Sequence, residues 1–416
     1  MRHFTLLLGA ASTFAIAAVA EAQSVTIATV NNADMIRMQG LTDEFNKAHP
    51  DITVNWVTLE ENVLRERVTT DIATGGGQYD VMTIGNYEVP IWAKQGWLNA
   101  LQFDAGYDVD DLLPAIRGGL SVDDKLYAAP FYGESAMIMY RTDLMEKAGL
   151  TMPESPDWTF IADAARKMTD KDAGIAGICL RGKAGWGENM AFLTALNNSF
   201  GGKWFDEAWK PQFDQPTWKE SLTFYADLMK EAGPAGASSN GFNENLTLFQ
   251  QGKCGMWMDA TVAASMVTDP KTSTVADKVG FALFPNKEGV DNHGNWLWSW
   301  NLAIPASSKN AEAAKTFIEW ATSKDYSELV ASKQGWAAAP PGTRTSLYEN
   351  ADYQAAAPFA GPTLAAMNAA DITKPTVDPV PYTGGQFVAI PEFQSIGTTV
   401  GQLFSAVIAG QPTVDD

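Results

Sequence analysis

Trp296, Trp298 and Trp300 alternate through GNWLWSWNLAIP, residues 294–305, a stretch without charge in a chain whose net charge is −20. Every second side chain of an extended strand points the same way. Such a stripe either forms core at a junction or offers aromatic faces that cover C–H surface and exclude water. A little upstream, KCGMWMDA ends a short apolar run on Asp259. A carboxylate at a strand end can accept two hydroxyl protons at once; the competing role is an N-cap for the helix that ATVAASMV would form. Other chemistry is poorly supported. His49, His293, Cys179 and Cys254 show none of the short spacings of a metal site. Gly75-Gly76-Gly77 follows a helical pattern and precedes a strand, the reverse of a phosphate cradle, and reads as a C-capping turn. No G-x-S-x-G or H-E-x-x-H pattern occurs. No metal and no cofactor is expected.

The acidic balance argues against nucleic acid and against anionic lipid, since both need a basic surface. A neutral small molecule is compatible with it. At 46% hydrophobic and 19% charged residues the chain is globular, and 416 residues suffice for two or three domains or one large bilobed unit. The N-terminus has Arg2, an apolar run of about 16 residues, and Ala20-Glu21-Ala22, the pattern of a secretory signal peptide over 1–22 cut after Ala22. The run is short of the roughly 20 residues that span a bilayer, so no stable membrane insertion is expected. An exported protein can form disulfides; Cys179 and Cys254 are either bridged or two buried thiols.

Strand and helix signals alternate in two blocks. SVTIATV is a strand ending at Asn31-Asn32, and a helix over about 34–48 follows, with Asp34 able to cap it. ITVNWVTL, a helix over about 61–74 and YDVMTIGNYE complete a βαβαβ unit. Later come an amphipathic helix in MPESPDWTFIADAARKM, helices over about 188–200 and 217–232, the strand of Asp259, the tryptophan strand, a capped helix in SSKNAEAAKTFIEWATS and a final helix over about 392–409. These are two doubly wound α/β lobes, with the chain passing between them more than once.

In this order the segments DEFNKAHPDITVNW, DIATGGGQYDVMTIG, LYAAPFYGESAMIMYRTDLMEKAGL, LFQQGKCGMWMDAT and WNLAIPASSKNAEAAKTFIEW resemble the extracellular solute-binding proteins of bacterial carbohydrate ABC importers, a class that includes maltose-binding proteins. GICLRGKAGWGEN and GNWLWSWNLAIP are closest to receptors for polyols such as sorbitol, mannitol or arabitol. The resemblance spans the chain beyond its leader. It implies a type II periplasmic binding protein, two lobes joined by a multi-strand hinge, and a ligand trapped in the cleft. Lobe I would comprise 23–131 and 302–336, and lobe II 132–301 and 337–416. The implied partners are a neutral polyhydroxy ligand and the subunits of a membrane permease, with the protein a periplasmic monomer.

In open α/β sheets ligands bind beyond the carboxyl ends of strands. That rule and the implied crossings select Asn32, Glu60, Asn86, Tyr132, Glu134, Trp186, Asp259, Trp298, Trp300, Asn301 and Arg344. Glu134 and Asp259 would accept paired hydroxyls, Arg344 would donate a fork, and Asn86 and Asn301 would do both. Glu60 competes with Glu61, which could serve only the helix dipole. Glu88 reads as a solvated or hinge-facing charge, Tyr132 could pack in the hinge, and Arg344 could be a surface cation. A few charged bonds of roughly 1.5–3 kcal/mol, after the cost of closure, reach about −8 kcal/mol, a micromolar affinity. A monosaccharide or disaccharide is the alternative ligand. A secreted hydrolase is the remote alternative, and would need a carboxylate pair roughly 5 or 6.5–9.5 Å apart.

Overall fold

The computed structural model describes residues 23–411 and 413–416; the expected signal peptide lies outside the described residues. Two sheets organise the chain. In the first, the order is Ile52–Leu59, Gln23–Val30, Val81–Gly85, Trp298–Ala303, Ala129–Glu134. Its first three strands are parallel, as the βαβαβ pattern requires, while the tryptophan strand runs antiparallel between Val81–Gly85 and Ala129–Glu134. The second sheet has the order Val279–Leu283, Ala136–Arg141, Cys254–Ala260, Ala176–Cys179. Buried aliphatic and aromatic side chains fill the space between these sheets and their helices.

The chain crosses from the first sheet to the second at the single residue Ser135, between paired strands on either side. It returns through 284–297. A third passage brings Gly133 and Gly342 into backbone contact, where Gly133 donates to the Pro341 carbonyl at 2.9 Å. A Cβ on Gly133 would meet the Gly342 carbonyl, and Gly342 itself has φ +74°, so neither position has room for a side chain. The first crossing thus lies later than the 131/132 boundary expected from sequence. Trp298, Trp300 and Asn301, assigned above to lobe II, sit on a strand of the first sheet.

Local rules explain the elements that carry the site. Gly75 takes φ +64° and caps the helix Glu61–Thr74. The helix expected over 34–48 is broken at Leu41 into Ala33–Gly40 and Thr42–Ala48. Its cap is Asn32, whose side chain accepts from the Met35 amide at 3.3 Å; Asp34 lies in the first turn against Arg37 instead. Cys179 and Cys254 are joined by a disulfide between neighbouring parallel strands, with Cα atoms 6.0 Å apart. Cross-linking positions 75 residues apart removes loop entropy worth roughly 4–5 kcal/mol from the unfolded chain. A Cys179→Ala/Cys254→Ala variant is therefore expected to unfold at clearly lower urea concentration. A midpoint equal to that of the parent would show that the bridge adds no stability.

Candidate functional site

The two sheets face each other across a cleft with about 800 Å³ of open space, part of it continuous with solvent. Its floor comes from the ends of the first-sheet strands. Asn32 donates to the Tyr132 hydroxyl at 2.6 Å, which leaves the phenol proton free to point into the cleft. Burial holds that phenol well above its ordinary pKa, so it stays a donor. Next along the same strand stands Glu134, 6% exposed. Among the described residues no hydrogen bond or ion pair reaches its carboxyl, and burial raises its pKa well above the carboxylate range, opposed by the Arg181 charge. An unpartnered buried carboxyl facing an open cleft is expensive unless a ligand completes it.

The opposite wall is the segment after the Ala176–Cys179 strand. Arg181 forks onto Asp259, with Nε and Nη2 at 2.9 and 2.7 Å from the two carboxylate oxygens. Its Nη1 donates to the Gly187 carbonyl at 2.9 Å and lies 3.4 Å from Glu188. Asp259 also accepts from the Trp257 indole at 3.2 Å and is fully buried. All its capacity is turned inward, so it fixes Arg181 and does not line the cleft. It is also not a helix cap: the next helix, Ala263–Val267, starts after Val262. The carboxylate pair that hydrolysis would require from Glu134 and Asp259 is therefore not presented to the cavity.

The tryptophans form a box. The stripe is not one flat wall, because the strand begins only at Trp298, with Trp296 in the preceding loop and a register shift after Trp300. Trp298 and Trp300 have centroids 5.5 Å apart at 80°, and Trp186 stands 6.0 Å from Trp298 at 67°. The Arg65 guanidinium lies 4.1, 4.8 and 4.8 Å from the centroids of Trp186, Trp298 and Trp300. Glu61 at 2.8 Å and Glu88 at 3.3 Å hold its charge. Trp298 packs onto Gly85, where any Cβ would collide with the indole. At the mouth Glu60 caps the helix Glu61–Thr74 and reaches across to Lys183. Asn62 donates over the same gap to the Ala184 carbonyl at 3.2 Å. These contacts bridge the two sides of the cleft mouth.

Of the residues selected from sequence, the structure brings Asn32, Glu60, Tyr132, Glu134, Trp186, Trp298 and Trp300 to the cleft. Four others lie elsewhere. Asn86 donates to the Leu297 carbonyl at 3.1 Å and accepts from the Ser299 amide at 3.3 Å, so it staples the hinge. Asn301 spends its amide on the Ile84 and Ser299 carbonyls at 3.0 and 2.8 Å. Arg344 is bound to the Thr322 and Asp108 carbonyls, to Asp111 and over Tyr107, away from the cleft. Asp259 acts through Arg181. The selection missed Arg65, Arg181, Lys183, Glu188 and Gln386, all at the cleft. Arg181, Lys183 and Glu188 follow a strand end in LRGKAGWGEN, and the rule that picked Trp186 applied equally to them. Gln386 comes from the irregular tail, where no periodic signal exists.

Glu188 is buried against Glu61, and burial, helped by that second charge, pushes its pKa up to about 8. In the unfolded chain the value is 4.5. Between these two pH values the folded state holds the extra proton, so stability falls as pH rises, by at most about 1.4 kcal/mol per unit. Urea midpoints measured from pH 5 to 8 are expected to decline, with a flatter course in Glu188→Gln. Identical slopes in the two proteins would exclude Glu188 as the source.

Among the described residues there is no cluster suited to a metal ion, and no helix is long and apolar enough to cross a membrane. Residues 32–328 match the family described as bacterial extracellular solute-binding protein. The chain is 56% identical over 395 residues to a mannitol-binding protein of Pseudomonas aeruginosa, covering 95% of this chain and 90% of that one. It superposes with TM-score 0.94 and 70% identity on an ABC transporter solute-binding protein of Agrobacterium vitis with bound D-mannitol, covering 95% of both. A ribitol complex from Agrobacterium radiobacter follows at TM-score 0.83 and 26% identity, covering 95% of this chain and 96% of that one. A maltose-bound T. maritima protein, at TM-score 0.81 and 23% identity over 95% of this chain and 97% of that one, shares the two-lobed type II fold. The chain belongs to the bacterial extracellular solute-binding proteins, which bind their solutes and do not transform them.

Proposed function

We propose that this protein captures a linear polyol, D-mannitol first among the candidates, in the periplasm and delivers it to the membrane permease of an ABC importer. One observation carries the reading: Glu134, a buried carboxyl without a partner among the described residues, faces the same cleft as the forked Arg181. A carboxylate accepts two hydroxyl protons and a guanidinium donates to their neighbours, which is the complement of adjacent hydroxyls on a carbon chain. Tyr132 adds a donor, and the tryptophan walls exclude water. The polyols bound by the Pseudomonas and Agrobacterium relatives support the ligand class. Two features support the location and export: the leader pattern of residues 1–22 and the disulfide, which suits an oxidising compartment.

A thermal-shift series on residues 23–416 with mannitol, sorbitol, arabitol, ribitol, glucose, fructose and maltose tests this. A ligand at 100 times its Kd adds about 2.7 kcal/mol of stability. Shifts are expected with one or more linear polyols and not with maltose. Shifts confined to cyclic sugars would overturn the polyol reading while leaving the solute-binding family intact.

A further inference from the structure

Three of the four tryptophans that line the cleft, Trp186, Trp298 and Trp300, offer no free platform to a sugar ring, because the protein places its own cation among them. Trp298 and Trp300 stand nearly perpendicular, Trp186 closes a third side, and the Arg65 guanidinium lies within 4.8 Å of all three centroids. The indoles are only 4–5% exposed. Two carboxylates hold the cation there: Glu61, one helical turn away, and Glu88, which is itself fixed by accepting from the Gly85 amide at 2.9 Å. A guanidinium over an indole gains cation–π attraction that grows when water is absent. Displacing it would strand two acids, one of them buried. We propose that Arg65 is a specificity-determining residue: by filling the tryptophan box it denies a pyranose ring a stacking surface, and so tunes the cleft for an open-chain polyol.

The inference rests on the polyol reading and deepens it. An acyclic chain presents no flat C–H face, so it loses nothing when the box is full. A pyranose gains most of its aromatic contact by lying flat on an indole, and here Trp186, Trp298 and Trp300 already carry the guanidinium, while Trp296 is only 2% exposed. Lysine would not be equivalent, since a point charge on a slender stem covers less ring area than a planar fork.

The test compares D-mannitol with methyl α-D-mannopyranoside, which locks a related set of hydroxyls in a ring, by isothermal titration. The proteins are the parent, Arg65→Lys, and the double variant Arg65→Met/Glu88→Gln. The second change in the double variant avoids leaving Glu88 as an unpaired buried charge. Each variant is first checked for parental circular dichroism and cooperative unfolding. In the parent, mannitol is expected to bind at least 100-fold more tightly than the pyranoside. In the double variant that ratio is expected to fall at least tenfold, with Arg65→Lys intermediate. A ratio within twofold of the parent in both folded variants would overturn the role of Arg65 and leave the polyol reading standing. A parent that binds the pyranoside as tightly as mannitol would overturn the polyol reading itself, before any variant is compared.

Discussion

Asp259→Asn is expected to lower both stability and ligand affinity. The carboxylate is fully buried and accepts both arms of Arg181 at 2.7–2.9 Å as well as the Trp257 indole. Removing one partner of a buried pair leaves the other charge uncompensated, at a cost of about 3–5 kcal/mol. The amide isostere keeps the shape but not the charge, so a loss of about 3 kcal/mol in urea unfolding is the expected result. Affinity should fall at least tenfold, because Arg181 loses the fork that aims it at the cleft. The sequence alone suggests a different role, a direct acceptor of ligand hydroxyls, whose loss would weaken binding without exposing a buried cation. An Asp259→Asn protein with parental stability and weakened binding would restore that view and contradict the geometry found here.

Glu134→Gln is expected to separate the two: a large loss of affinity with no loss of stability. Its carboxyl has no partner among the described residues to leave behind, and burial already opposes its charge. Replacing a buried, unpaired ionisable group by an amide relieves desolvation. In the filled cleft the ligand hydroxyls join the Arg181 charge in favouring the carboxylate, and a charge-assisted bond to a hydroxyl is worth about 1.5–3 kcal/mol, so Kd should rise by about 10- to 100-fold. Titration calorimetry and urea unfolding on the same preparation separate the two effects. Unchanged affinity would remove Glu134 from the ligand's contacts.

These two residues show where sequence reasoning reaches and where it stops. Both are acids at strand ends, and the rule that ligands gather there finds them equally. What divides them is which cation lies within reach, and that depends on Arg181, which is separated from Asp259 by 78 positions in the chain. Asn86, Asn301 and Arg344 lie outside the cleft lining for a similar reason. Each is consumed by backbone carbonyls: Leu297 just before the tryptophan strand, Ile84 within the first sheet, and Thr322 at the end of the helix Ala311–Ala321. Such local demand is invisible until the hinge is folded. Alternating strands and helices, the capping glycine Gly75 and the aromatic stripe were legible because they depend on near neighbours in sequence. The occupant of the tryptophan box was not, since Arg65 comes from a helix more than 200 positions away from Trp298.

The most direct test of the account is a crystal structure of residues 23–416 with D-mannitol. A single open-chain ligand is expected in the cleft. Two of its neighbouring hydroxyls should donate to the Glu134 carboxyl, with Arg181 within hydrogen-bond distance of the chain and Arg65 still inside the tryptophan box. Mannitol bound without contact to Glu134 or Arg181, or a cleft that stays empty at millimolar ligand, would contradict it.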